Sequence, residues 1–221
     1  MTEARIKFFG NPWPAGHAVT EAVWSAELRP DGLRFHLHVV SADYDAEDDR
    51  DDPEGDRGAW RSRIVWTNYH ACSLSSTKWG DDGFLVATPG KPIDLERLAS
   101  KTFRVDPMAG DAIPEDVELD DLAFGIYLLG HDSVCDHRIR FVKRRGPRCY
   151  DIRWRARIAL TYAGDTELSH RLEATLPRLR LDTIELEDLD ATTARALLPE
   201  VLVGAERFTL RRGRFVSRPS R

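Results

Sequence analysis

Two histidines in the first third of the chain have the spacing of a metal-binding pair. His36 and His38 are separated by one residue, so on a β-strand both would project from the same face. Asp43 follows five residues later and adds a carboxylate. Two imidazoles and a carboxylate suit zinc, iron or manganese. The spacing therefore indicates, as one of two functional alternatives, a small β-fold metal-dependent enzyme.

The His36–His38 pair resembles the His-x-His half of a cupin metal site. The resemblance is confined to the segment from Gly32 to Asp43. It departs from the cupin pattern because Gly32 lies too close before the pair, Asp43 stands where the family has Glu, and no third histidine is assigned. The resemblance implies a metal ion bound by a β-fold, with His36, His38 and Asp43 as its ligands.

The same segment also predicts a different environment for the two histidines. Leu33, Phe35 and Leu37 alternate with them and already form an apolar face. His36 and His38 should then lie on the opposite, solvent-facing side of the strand. No bound cofactor is expected, and the histidines with Asp43 are kept only as weak metal candidates.

A second constellation consists of arginines that alternate with apolar residues in 137–157. This segment holds nine Lys or Arg and one Asp. If the intervening apolar residues face a core, the arginines project outward and create a strong positive field. The candidate anion-binding face comprises Arg138, Arg140, Arg153, Arg155 and Arg157. It could bind an anionic partner, be an ordinary solvated face neutralised by neighbouring carboxylates, or be covered by an acidic segment of the same molecule. Nucleic acid is disfavoured by the net charge of −5 and by the absence of aromatic residues among these arginines.

The strongest concentration of charge is acidic. Residues 43–56 contain nine Asp or Glu and one Arg, and residues 111–121 add six acids without a base. Like charges at this density repel, so a mobile solvated loop is expected over about 43–58. As a functional site, seven carboxylates are expected to bind a basic protein partner: Asp43, Asp45, Glu47, Asp48, Asp49, Asp51 and Asp52. Solvation alone, neutralisation by the chain's own arginines, and calcium binding are the alternatives.

Composition places these residues in a soluble globular chain. The chain has 221 residues, of which 42% are hydrophobic and 31% charged, and this composition excludes a wholly disordered or fibrous protein. No apolar run is long enough to cross a membrane, and the first residues lack the apolar core of a signal peptide. Three cysteines at unrelated spacings favour a reducing compartment, and a cytoplasmic location is expected.

The elements that must position these residues are mostly strands. Alternating segments predict a hairpin over about 19–40 and a second over about 137–162, with Trp24 and Trp154 on the apolar faces. Residues 60–72 are expected to form another strand, on which Asn68, Tyr69 and His70 could line a pocket. Two short helices are expected, at about 94–100 and 191–198, and a basic tail at about 211–221. These segments predict a single, mainly antiparallel β-sandwich or barrel-like domain.

Two classes of function are compatible with these patterns. The first is a non-catalytic, cytoplasmic binding protein that acts through charge complementarity, such as an immunity-like or antitoxin-like inhibitor of a basic protein. Such complementarity accelerates association, which suits an inhibitor. The second is the metal-dependent enzyme on the His36 and His38 face. The chain has no P-loop, G-x-S-x-G, H-E-x-x-H or C-x-x-C motif that would favour catalysis.

Overall fold

A closed antiparallel barrel of eight strands forms the centre of the molecule. The computed structural model describes residues 3–46, 58–78 and 82–218. The structure is mainly β, with 47% strand and 15% helix. The sequence-based prediction of a barrel-like β domain with short helices is therefore confirmed.

Thirteen strands and two α-helices lie in the described ranges. In chain order the strands are β1 (Arg5–Phe8), β2 (His17–Arg29), β3 (Gly32–Ser41), β4 (Ser73–Ser75), β5 (Phe84–Ala87), β6 (Thr102–Val105), β7 (Gly125–Tyr127), β8 (His131–Lys143), β9 (Cys149–Ala159), β10 (His170–Arg180), β11 (Thr183–Leu186), β12 (Phe208–Arg211) and β13 (Arg214–Ser217). The helices are α1 (Arg63–Thr67) and α2 (Ala191–Val201). No helix of this part of the chain is long and apolar enough to cross a membrane.

The barrel closes because β3 pairs with its hairpin partner β2 on one side and with β4 on the other. The ring runs β2-β1-β10-β9-β8-β7-β4-β3, and every neighbouring pair is antiparallel. The tight turn of the β2–β3 hairpin ends at Gly32, where a Cβ would lie 2.1 Å from the carbonyl oxygen of Ala87. Glycine is therefore required for β5 to approach this turn.

Aromatic side chains fill the interior of the barrel. Trp24 packs against Phe35 and Phe141, with ring centroids 5.3 Å and 5.0 Å apart. Trp154 packs against Phe124 at 4.6 Å. Trp24 is 4% exposed and Trp154 is fully buried, which confirms the inward register predicted for both hairpins.

The prediction of a helix at about 94–100 is wrong for most of this segment. The structure has a turn followed by a short 3₁₀ helix at Leu98–Ser100. The buried hydroxyl of Tyr150 donates to the carbonyl oxygen of Leu95 and accepts from the amide of Leu98. The carboxylate of Asp94 accepts from the amide of Glu96 and does not cap a helix. Tertiary hydrogen bonds thus take the backbone groups that a helix would pair.

The prediction of a strand at 60–72 is also wrong. A 3₁₀ turn at Ala59–Arg61 and helix α1 replace it, and the side chain of Ser62 caps α1 by accepting from the amide of Val65. Trp66 is fully buried, whereas Asn68 and His70 are exposed, so they do not line a pocket along a strand. Packing of Trp66 against Phe8, at 5.3 Å between centroids, favours the helical turn over an extended segment.

The second predicted helix is confirmed as α2. Asp190 is its N-cap and accepts from the amides of Thr192 and Thr193, and the helix runs through Pro199 to Val201. The expected basic tail is largely structured, because Arg211 and Arg214 belong to the β12–β13 hairpin. Residues 219–221 lie outside the described part.

Truncation of Trp154 to alanine should destabilise the protein by about 3–5 kcal/mol, because a fully buried indole would leave a cavity in the barrel. The change also removes the hydrogen bond that the indole nitrogen donates to Nδ1 of His137, at 3.0 Å. Urea denaturation of the Trp154→Ala variant measures the loss. Tyr162→Ala, at a side chain that is 64% exposed, is the control and should change the free energy of unfolding little. Equal stability of the two variants would contradict the inward register.

Candidate functional site

Strand register places arginines directly opposite one another on the outer wall of the barrel. Arg138 pairs with Arg155 and Arg140 with Arg153 across β8 and β9. On the other side of β8, Arg104 of β6 pairs with Arg138. Three arginines therefore form one row across three strands, and all five side chains are exposed.

The positive surface extends over two further strands. Glu173 of β10 lies beside Arg155, and Lys7 of β1 lies beside Glu173. We call the outward cations of β1, β6, β8, β9 and β10 the arginine face. Its members are Arg5, Lys7, Arg104, Arg138, Arg140, Arg153, Arg155, Arg157 and Arg171. All five arginines predicted from the sequence belong to it, whereas the other four cations were not predicted. Arg5, Lys7 and Arg104 alternate with apolar residues in β1 and β6, so local alternation could have indicated them.

Described residues neutralise only part of the arginine face. Arg155 forms an ion pair with Glu173 at 3.3 Å. Arg157 donates to the carboxylate of Asp111 at 2.8 Å and to the carbonyl oxygens of Gly110 and Leu168. The remaining four arginines of β6, β8 and β9 make no ion pair with any described residue: Arg104, Arg138, Arg140 and Arg153. Arg144, which belongs to the same basic segment, pairs with Asp151, which lies two residues before Arg153 on β9.

Opposed like charges lower the stability of a sheet. Like charges directly across two strands are unfavourable, by an amount comparable to the roughly 0.2–1 kcal/mol of a good pair. The outward neighbours that complete the Arg140–Arg153 row are Thr102 and Thr175, which supply no counter-charge. Within the described ranges, the four unpaired arginines thus cost stability without a counter-charge in return.

A shallow depression of about 520 Å³ lies on the arginine face, between β8 and β10. A β-bulge between Cys135 and Arg138 interrupts the β8–β9 register beside it. Phe9 forms one wall and is 44% exposed. The guanidinium carbon of Arg171 lies 5.6 Å from the centre of the Phe9 ring. The depression thus combines several cations with one aromatic surface.

The histidine pair is buried, contrary to the expectation that it faces solvent. His36 and His38 do project outward from the barrel, but they are only 4% and 8% exposed. A ring nitrogen of His36 lies 2.9 Å from the carbonyl oxygen of Ser76, and its other nitrogen lies 3.3 Å from Glu27. The segment at Gly83 covers the ring, since a Cβ there would lie 2.8 Å from it.

The surroundings of His38 differ from those of His36. Nε2 of His38 is 3.8 Å from Glu21, and burial with the nearby charge of Lys78 lowers the pKa of this imidazole. Asp43 lies in the exposed turn after β3. In the part of the chain that is described, no three His, Cys, Asp or Glu side chains form a group able to hold a metal. The metal-dependent enzyme therefore stays a prediction without a ligand cluster to support it.

Two carboxylates of the acidic segment belong to the described residues. Asp43 and Asp45 are exposed in the turn that follows β3. The other five predicted partner-binding carboxylates lie outside the described residues: Glu47, Asp48, Asp49, Asp51 and Asp52. The second acidic stretch, 111–121, is described, and all six of its carboxylates are exposed. One of them, Asp111, binds Arg157 and so marks one border of the arginine face.

His137 lies in an apolar environment beside one carboxylate. It is fully buried, its Nδ1 accepts from Trp154, and its Nε2 lies 3.8 Å from the carboxylate of Asp106 without a hydrogen bond. Burial lowers the pKa of His137 to about 3 and raises the pKa of Asp106. Cys135, two residues before His137, is also buried, and this raises its pKa to about 12. The imidazole of His137 and the thiol of Cys135 are therefore neutral at physiological pH.

Comparison with family models, curated proteins and solved structures finds no match to this chain. The assignment of the candidate site therefore depends only on the geometry and charge of its residues.

Replacing both Arg140 and Arg153 by glutamine should raise stability at low salt by about 0.2–1 kcal/mol, because one opposed like-charge pair disappears. The gain should shrink at high salt, where exposed charges are screened. Arg157→Gln is the contrasting variant and should lower stability, since it removes three hydrogen bonds. Urea denaturation at low and high salt measures these changes. A loss of stability in the double variant would mean that this pair has a structural role.

Acid should destabilise the protein through His137. Because its folded pKa is lowered from 6.5 to about 3, the unfolded chain binds a proton between these values and the folded protein does not. The free energy of unfolding should therefore fall by about 1.4 kcal/mol per pH unit from this residue as the pH drops from 6 towards 3. The raised pKa of Asp106 acts in the opposite sense, because its stabilising proton is lost as pH rises. A His137→Gln variant should show a shallower loss between pH 6 and 4 in urea denaturation, and an identical slope would contradict the assignment.

Proposed function

We propose that this protein is a non-catalytic binding protein that acts through charge complementarity, and that the arginine face binds the acidic surface of a partner protein. The observation that carries the proposal is the opposition of Arg104 to Arg138 and of Arg140 to Arg153, since none of these four forms an ion pair with a described residue. A cost to stability without an internal return is typical of residues kept for binding. An acidic partner would supply the missing counter-charges.

The spacing of the face suits carboxylates carried by a protein. Arg138 and Arg140 are two residues apart on one strand, so their side chains repeat at about 6.7 Å. Carboxylates on alternate residues of an extended segment have the same repeat. Arginine binds a carboxylate through two parallel hydrogen bonds, and this geometry adds specificity.

A protein surface fits this face better than a nucleic acid does. The uncharged outward neighbours of the unpaired arginines are Thr102 and Thr175, and Phe9 is the exposed aromatic side chain at the border. Sequence-tolerant binding of single strands requires several stacking aromatics. The acidic stretch 111–121 also borders the face and would repel a phosphate backbone that extends beyond it.

The other expectations from the sequence stand beside this proposal. The acidic segment was predicted to bind a basic protein partner, which would give the protein an immunity-like or antitoxin-like role. Among the described residues, only Asp43 and Asp45 support that prediction. A cytoplasmic location is supported by three free cysteines, of which Cys72 and Cys135 are buried. The arginine face therefore supports a binding function. It defines an acidic partner better than the described part of the acidic segment defines a basic one.

The test uses a labelled octapeptide of alternating Glu and Thr, which presents its carboxylates at the repeat of the face. It should bind the protein at low salt and weaken as salt rises. The Arg140→Gln/Arg153→Gln variant should bind it about threefold to tenfold more weakly, because two charge-assisted contacts are lost. Fluorescence anisotropy measures both affinities.

The matched control is Arg211→Gln/Arg212→Gln, which makes the same change in net charge at exposed residues of the β12–β13 hairpin. It should bind the peptide as the parent protein does. Equal weakening in both variants would reduce the effect to net charge and overturn the proposal. Tighter binding of a DNA duplex than of the acidic peptide, again dependent on Arg140 and Arg153, would assign the face to nucleic acid.

A further inference from the structure

The wall of the barrel is split at one end. β4 and β7 pair with each other between β3 and β8 and close the ring there. At the other end, β5 extends the wall from β3 and β6 extends it from β8. No pairing joins β5 to β6, although both strands are fully described. Each therefore has one edge that faces a gap.

A cleft of about 680 Å³ occupies this gap. Gly83, Phe84 and Leu85 line one side, and residues 103–106 line the other. The free edges of β5 and β6 make no backbone hydrogen bond to any other described segment. Unpaired strand edges of this kind are sites at which an extended chain adds to a sheet.

The floor of the cleft is apolar and the rim is mostly acidic. Phe84 and Phe103 meet beneath it, with ring centroids 5.6 Å apart, and Leu85 is 43% exposed on the β5 side. Six charged side chains line the cleft: Arg34, Asp82, Arg104, Asp106, Asp120 and Asp121. Arg34 pairs with Asp31, and Asp82 pairs with Arg29.

The remaining rim charge favours a basic occupant. Asp120 and Asp121 are exposed and form no ion pair within the described ranges, whereas Arg104 is the one cation of the rim without a partner there. The carboxylate of Asp106 accepts from the amide of Ala123 and turns towards the buried His137. Carboxylates thus outnumber cations where an extended chain would lay its side chains.

We infer that the cleft between β5 and β6 binds an extended, basic segment of a partner protein by strand addition. The backbone of the segment pairs with a free edge. Its apolar side chains, on alternate residues, rest on Phe84 and Phe103, and the intervening Lys or Arg side chains reach Asp120 and Asp121. Strand pairing supplies affinity, and the alternation of side chains supplies specificity. The cleft is a different site from the arginine face, for which an acidic partner is proposed.

An octapeptide of alternating Lys and Val tests the inference, because one face is apolar and the other basic. It should bind the full-length protein and protect amides of β5 or β6 from hydrogen exchange. Exchange read by NMR separates strand addition from loose attraction of charges. The Asp120→Asn/Asp121→Asn variant should bind the peptide about threefold to tenfold more weakly at low salt.

Glu115→Gln/Asp116→Asn is the matched control, since these exposed carboxylates belong to the same acidic stretch but do not line the cleft. It should bind the peptide as the parent protein does. Absence of binding, binding without protection of either strand, or equal affinity for a Glu and Val peptide would each overturn the inference. None of these outcomes bears on Arg140 and Arg153, so this inference and the proposed function fail separately.

Discussion

Pairing of β3 with both β2 and β4 is the constraint on which the rest of the structure depends. Once the ring is closed, each barrel strand has one face towards an interior filled by aromatic rings and one face outward. Because Ile152 and Trp154 must face inward, Arg153 and Arg155 must face outward. Closure also fixes the neighbours across strands, so the opposition of Arg140 and Arg153 cannot be relieved by a shift of register without exposing the core.

The same closure explains why the wall splits. β4 and β7 are only three residues long, whereas β3 has ten residues and β8 has thirteen, so the two short strands cover only part of the edges that β3 and β8 present. β5 and β6 continue the wall along another part of these edges, but they belong to segments whose paths are set elsewhere. On the β6 side, the carboxylate of Asp106 accepts from the amide of Ala123 and holds the end of the strand against the segment before β7. The gap is therefore a consequence of strand length in a closed sheet, and the interior stays sealed beneath it by Phe84 and Phe103.

Local patterns sufficed for the elements whose stability is local. Alternation and the turn at Arg29–Gly32 predict the first hairpin, and Asp190 predicts the start of α2. The errors arise where a distant side chain decides. The hydroxyl of Tyr150 takes the backbone groups of Leu95 and Leu98, which a helix would have used.

The candidate site divides in the same way. Alternation within β8 and β9 predicts the five arginines of the hairpin, since a strand alone fixes which side chains share a face. The position of Arg104 opposite Arg138 depends on the pairing of β6 with β8, across an intervening segment that contains β7. Burial of His36 likewise depends on the approach of Gly83, which is distant in sequence. Neither pairing nor approach leaves a trace in local periodicity.

Net charge is a poor guide to the partners of this protein, because surfaces of opposite sign lie one strand apart. Arg104 belongs both to the arginine face and to the rim of the cleft, and β6 alone separates the two surfaces. Neighbouring strands are about 4.8 Å apart, which is less than the screening length of roughly 8 Å at physiological salt. The two fields therefore overlap at Arg104. A partner that carries uniform charge of either sign is repelled by one surface while it is attracted by the other. If both proposed sites bind partners, selection at this wall would depend on the order of charges along the partner rather than on their sum.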